Sequence, residues 1–191
     1  MTTTRQHMTL KEYLEYDDGT DTRYTLVDGE LVVVPSESDL NNVIALYILS
    51  LLLQFVPIQR MRRGTEIVVS GSRATTRIPD LMVVGDELDA ELAGSRRSIV
   101  MLDMPSPELV VEVVSSGAEN IERDYRYKRS EYAARGIAEY WIVDPVQRQV
   151  VVLALLSGLY EDTVFKGTQQ VRSPLIPDLK VMAEQLLRAG R

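Results

Sequence analysis

Pro107-Glu108-Leu109-Val110-Val111-Glu112-Val113-Val114 reads as a strand in the middle of a sheet. It is a short apolar run rich in valine and leucine. Side chains alternate along a strand, so Glu108, Val110, Glu112 and Val114 share one face while Leu109, Val111 and Val113 point into core on the other. Glu112 is therefore an acid standing among valines. A second run, Ile78-Pro79-Asp80-Leu81-Met82-Val83-Val84, repeats the pattern with Asp80. An ionised carboxylate in such surroundings is costly unless positive charge meets it. A divalent cation meets that need, and two neighbouring acids make a metal site.

Lys128 follows Glu112 by sixteen residues, on a stretch from Ile121 to Arg135 that reads as helix and stops at Gly136 in the C′ position. Asp124, Lys128 and Tyr132 are spaced i, i+4, i+8 and share a face. Acid, acid and lysine on strand, strand and helix form the pattern of a metal-dependent phosphodiesterase. The plainer alternatives are a structural ion pair for Glu112, and a solvated helix with Asp124–Lys128 and Glu131–Arg135 pairing. Pro177-Asp178 repeats the Pro-Asp pair with no acid-bearing strand after it and reads as a turn.

Composition narrows the chemistry. The chain has 191 residues, 45% of them hydrophobic, which suits one domain, 1–191, with residues 1–8 as a flexible N-terminus. No segment approaches the ~18 apolar residues of a membrane span, and no secretory signal is visible, so a cytoplasmic location is expected. Cysteine is absent, which excludes disulfides and thiolate chemistry. The single histidine, His7, lies in the N-terminal segment, which excludes a Ser-His-Asp triad and most histidine zinc sites. The net charge of −7 demands that any nucleic-acid surface be local. Arg60, Arg62, Arg63, Arg73 and Arg77 are the candidates for such a surface.

Along the chain, Thr9 and Glu12 form a capping box for a helix ending near Tyr16. Asp28-Gly29 joins strands Arg23–Leu26 and Glu30–Val34. A helix spans Leu40 to Val56. Strands follow at Thr65–Ser70 and Arg77–Val84, then a loop from Gly85 to Ser98 with room for one helical turn. After the Glu112 strand and the Lys128 helix come strand Glu139–Asp144, a hairpin of Val150–Leu156 and Tyr160–Phe165, a short strand or extended run Leu175–Leu179 and a short helix Val181–Leu187. The expected class is α/β (α+β): a mixed central sheet flanked by helices, with antiparallel hairpins at both ends.

Asp80, then Glu112 in its valine-rich strand, then Tyr127-Lys128-Arg129-Ser130-Glu131-Tyr132-Ala133-Ala134-Arg135-Gly136-Ile137-Ala138-Glu139-Tyr140-Trp141-Ile142-Val143-Asp144-Pro145 resemble the Uma-type family of putative restriction endonucleases. Arg23 to Leu31 resembles that family's N-terminal hairpin. The resemblance runs from about Met8 to Leu187 and implies the PD-(D/E)xK nuclease fold. It maps the two acids to Asp80 and Glu112. The lysine usually found two residues after the second acid is Val114 here, and Lys128 is the matching amine from the next helix. The resemblance implies one Mg²⁺ (or Mn²⁺) held by Asp80, Glu112 and the Val113 carbonyl, with Lys128 and Tyr132 as further catalytic residues. It also implies a nucleic-acid substrate, DNA first, and a homodimer. An acid from an early helix is missing, Glu66 being a substitute candidate. The alternative is a catalytically inactive module on the same fold, acting as a homodimeric binding protein.

Overall fold

The computed structural model describes residues 7–70 and 73–190. Thr9 accepts from the Glu12 N–H and Glu12 reaches back to the Thr9 N–H, closing the capping box of α1 (Leu10–Glu15). The first six residues lie outside the description. His7 and Met8 do not belong to a loose end, because both lie along the hairpin that follows, His7 opposite Glu30 and the Met8 N–H on the Gly29 carbonyl. That hairpin, β1 (Tyr24–Val27) and β2 (Glu30–Val33), turns through Asp28 and Gly29, whose φ values of 52° and 81° make a turn matched to strand twist.

Ser38 caps α2 (Asp39–Leu52). Short β3 (Met61–Arg62), β4 (Glu66–Ser70), β5 (Thr75–Arg77) and β6 (Leu81–Val83) follow. The run expected as one strand from Arg77 to Val84 is thus two strands, and they belong to different sheets. Pro79 is the cause: it has no N–H to donate to a ladder, and the chain changes sheet there. The expected Gly85–Ser98 loop contains an eight-residue helix, α3 (Asp86–Ala93). Its acids Asp86, Glu87 and Asp89 favour the first turn of a helix, and Leu88 and Leu92, four apart, supply the buried stripe.

After β7 (Ile99–Val100) comes the strand of the opening motif, β8 (Leu109–Val113). A helical crossover follows: α4 (Ala118–Glu122), a π-helical turn from Arg123 to Tyr127, and α5 (Lys128–Arg135). Gly136 ends α5 at φ 79°, where a side chain would be strained. Then come β9 (Glu139–Asp144), β10 (Gln149–Leu156), β11 (Leu159–Lys166) and α6 (Ala183–Leu187). Leu175–Leu179 is not a strand. It is a bend held by Ile176 N–H on Ser173 Oγ and Leu179 N–H on the Ile176 carbonyl.

The central sheet has the order β11-β10-β9-β8-β6-β3 and is mixed, because the crossover makes β8 and β9 parallel while the other pairs are antiparallel. Both faces are covered. Leu109, Val111, Val113 and Trp141 pack toward α2 and α6, and Val110, Val114, Tyr140 and Ile142 toward α3 and α5. A three-stranded sheet, β5-β4-β7, lies beside it and carries the N-terminal hairpin through Thr25 and Thr76, whose hydroxyls meet at 2.9 Å. No helix among the described residues is long and apolar enough to cross a membrane.

Candidate active site

The site forms where β6 and β8 part. Leu81 pairs with Val111, so extending the register by one residue sets Asp80 opposite Glu112. Directly opposed residues in an antiparallel pair carry their side chains on the same face, a few ångströms apart. Beyond this point β6 offers no main chain, and side chains satisfy β8 instead. The Val113 N–H donates to Asp80 Oδ2 at 2.6 Å, and the Val113 carbonyl accepts from Asn41 Nδ2 of α2 at 3.2 Å.

Glu112 is buried, and both its oxygens are engaged. Lys128 Nζ lies 2.7 Å from Oε2, and the Tyr132 hydroxyl donates to Oε1 at 2.6 Å. Asp124 holds the other side of the ammonium at 2.8 Å. The shared helix face expected for Asp124, Lys128 and Tyr132 is therefore present, though the helix is not regular. The Lys128 N–H bonds back to the Arg123 carbonyl through a π turn, while the Asp124 carbonyl accepts from the buried Tyr140 hydroxyl. A π turn within an α-helix often marks a functional site.

Burial works against the Lys128 ammonium, but Glu112 and Asp124 outweigh it and hold its pKa above the ordinary lysine value. Burial pushes the Glu112 carboxyl up, with Lys128 pulling it back. Asp80 behaves differently. Burial, and then the charge of Glu112, push it to about 7, and the Val113 N–H only partly offsets them. Among the described residues no basic side chain forms an ion pair with the Asp80 carboxylate. Arg63 reaches only its main-chain carbonyl. Asp80 is thus a carboxyl group without an ion-pair partner, at the edge of a cavity.

That cavity, about 450 Å³, is lined by Asp80, Glu112, Val113 and Lys128. Tyr132 does not line it. It is buried behind Glu112, edge-on to Tyr140 with ring centroids 5.0 Å apart. Arg77, one of the five arginines expected at a cationic surface, lines the cavity, as do Glu37 and Arg123, which sequence reading missed. Glu37 lies just ahead of α2, near Asn41, and is an acid from the neighbourhood where an early-helix acid was lacking. Its signal was its place beside the Ser38 cap. Glu66 is not a substitute, because it is consumed elsewhere by Tyr13, Thr76 and Arg97.

Four of the five arginines expected to form a cationic surface lie on acids, and Arg63 donates to the Asp80 carbonyl and to Asn42 Oδ1 instead. Arg60 pairs with Glu108, Arg62 with Asp89, Arg73 with Asp28, and Arg77 with Glu131 through two bonds of 2.7 Å. Glu131 therefore does not pair with Arg135, whose guanidinium instead holds the Met101 and Met104 carbonyls.

The donor set suits a small, hard cation. Asp80 offers an unpaired carboxylate, Glu112 stands beside it, and the Val113 carbonyl keeps a second lone pair. Among the described residues no three His, Cys, Asp or Glu side chains converge on one ion. Mg²⁺ tolerates this, since it is commonly bound by one or two carboxylates with water and substrate oxygens completing the shell.

A solved structure described as a putative nuclease belonging to DUF820, from Anabaena variabilis, has a similar fold. The TM-score is 0.73 over 96% of this chain and 99% of that one, at 18% identity. No curated protein matches the chain. The family model described as "Uma2: Putative restriction endonuclease" matches residues 10–184, nearly the whole length. The chain belongs to the Uma2 family of putative restriction endonucleases.

Proposed function

We propose that the chain is a Mg²⁺-dependent (or Mn²⁺-dependent) endonuclease hydrolysing phosphodiester bonds in nucleic acid, DNA first. One observation carries the reading: Asp80 and Glu112 stand on opposed strand positions at one cavity, with the Lys128 ammonium on Glu112. Asp80, Glu112 and the Val113 carbonyl would hold the ion, which when bound polarises a phosphate and acidifies a water. Lys128, protonated and fixed between Glu112 and Asp124, donates to the attacking water or to a phosphate oxygen as negative charge develops. Tyr132 acts from behind by fixing the Glu112 carboxylate, which makes it a positioning residue. Asn41 fixes the Val113 carbonyl from the other side.

The test pairs calorimetric Mn²⁺ titration with a DNA and RNA cleavage assay on the wild type, Asp80→Ala and Glu112→Ala. Metal binding and cleavage in the wild type alone support the assignment, and equal metal binding by all three discards it. A second reading, a non-catalytic homodimeric module, draws on one observation: both Glu112 oxygens are already engaged by Lys128 and Tyr132. Absence of Mg²⁺-dependent cleavage of any strand by the wild type, with Asp80→Asn and Lys128→Ala no different, would favour that module.

A further inference from the structure

The lining of the cavity falls into two chemical halves. One is charged: Asp80, Glu112, Lys128, Arg77 and Arg123. The other is apolar, built from the β1–β2 ribbon by Val27, Val32, Val33 and Val34, with Tyr127 from the π turn. Val32, Val33 and Tyr127 are 40%, 56% and 50% exposed, so this wall is open to a ligand from solvent. The cations are not free. Arg77 lies on Glu131, Arg123 on Asp124, and Lys128 on Glu112 and Asp124. Elsewhere on the described surface Arg62, Arg73, Arg126 and Arg129 also lie on acids.

A double helix is gripped by its phosphates, commonly ~6–10 of them, each met by a lysine or arginine. A chain of net charge −7 whose cavity cations all lie on acids, with Arg23 and Arg63 the nearby arginines that do not, offers no such track. An unpaired nucleotide asks for something else: a flat apolar surface for its base and one or two polar contacts for its phosphate. The cavity has that division. In a duplex the same base face is stacked and out of reach.

We infer that the substrate is taken as an unpaired strand, one nucleobase seated against Val32, Val33 and the Tyr127 ring while the adjoining phosphate reaches Asp80, Glu112 and Lys128. This rests on the phosphodiesterase reading for the phosphate half and on the apolar wall for the base half.

The experiment measures fluorescence anisotropy of short fluorescein-labelled strands on the full chain, with EDTA and with Ca²⁺. The strands are single-stranded DNA, the same sequence as RNA, the DNA duplex, and a DNA strand with abasic positions. The unpaired strand is expected to bind at least ~10-fold tighter than the duplex, and the abasic strand to fall to the duplex level. Tyr127→Ala should weaken strand binding by ~5–100-fold, and Tyr127→Phe should restore it. The salt dependence should be shallow, with a slope of about −1 to −2 in log K against log salt. The DNA and RNA arms decide which sugar is preferred. Equal affinity for duplex and strand, indifference to abasic positions, or binding of none of the four overturns the inference. Base-dependent strand binding without metal-dependent cleavage would remove the nuclease reading and leave the base seat standing; cleavage with duplex preference would do the reverse.

Discussion

Asp80 should be a residue that the metal-free protein folds better without. Its carboxyl is pushed from the ordinary 3.8 to about 7 by burial and by the charge of Glu112. A group whose folded pKa is raised contributes stability that is fully present below its unfolded pKa and is lost as pH rises through the folded one. For Asp80 the loss therefore runs from about pH 4 to about pH 7 and is complete above. About three units at 1.36 kcal/mol each put the full loss near ~4 kcal/mol, of which ~1.5 is already present at about pH 5. Solvent reaching the carboxylate through the cavity trims both figures. Asp80→Asn keeps an oxygen to accept from the Val113 N–H and removes the charge. In EDTA the variant should be more stable than the wild type by ~1 kcal/mol or less at about pH 5 and by ~2–3 kcal/mol at about pH 8. For a chain of this length the difference at about pH 8 is roughly 4–12 °C in Tm, readable by thermal melts and urea titrations at both pH values. Mg²⁺ at about pH 8 should raise the wild-type Tm and leave the variant unmoved. An Asp80→Asn protein that is less stable than the wild type at about pH 8, or whose gain is the same at both pH values, would refute this account of the Asp80 environment.

Other outcomes follow from the same contacts. Lys128→Met leaves Glu112 and Asp124 buried without their ammonium and should cost ~3–5 kcal/mol by urea denaturation at neutral pH. Tyr132→Phe removes the donor to Glu112 Oε1 and should cost ~1–3 kcal/mol, with a larger effect on kcat than on KM in the cleavage assay. Asn41→Ala should cost ~1–3 kcal/mol and leave the Val113 carbonyl unpaired, measurable by the same denaturation. Gly136→Ala places a side chain at φ 79° and should lower stability by about 1 kcal/mol or more.

What could be read from the chain alone was whatever local pattern or desolvation cost dictates. Acids inside apolar runs are conspicuous because burial of charge is expensive, so Asp80 and Glu112 stood out. The Asp28-Gly29 turn and the Gly136 stop stood out because few residues accept positive φ. The break after Arg77 was less legible, since Pro79 is equally consistent with a strand start and with a chain leaving one sheet for another. The α3 helix was hidden because its apolar stripe is only Leu88 and Leu92. Partners distant in sequence were not legible at all. Nothing near Arg77 announces Glu131, 54 residues on, so the arginine run reads as a free cationic surface although four of its five members lie on acids.

The cluster around Lys128 is a poor way to hold a fold together. Two carboxylates and an ammonium taken out of water gain little over apolar residues of the same size, and lose much if one is removed. The surrounding core shows that such residues were at hand: Val110, Val114 and Tyr140 pack on the same face as Glu112. A purely structural role would also favour neutralising every charge present. Lys128 and Arg123 together do that for Glu112 and Asp124, while Asp80, directly across the strand, is left with a backbone N–H and no ion-pair partner among the described residues. The deficit sits at the one place where the two strands part and a cavity opens. A carboxyl left without an ion-pair partner at a solvent-accessible strand split is what the proposed cation site requires, and packing alone supplies no reason for it.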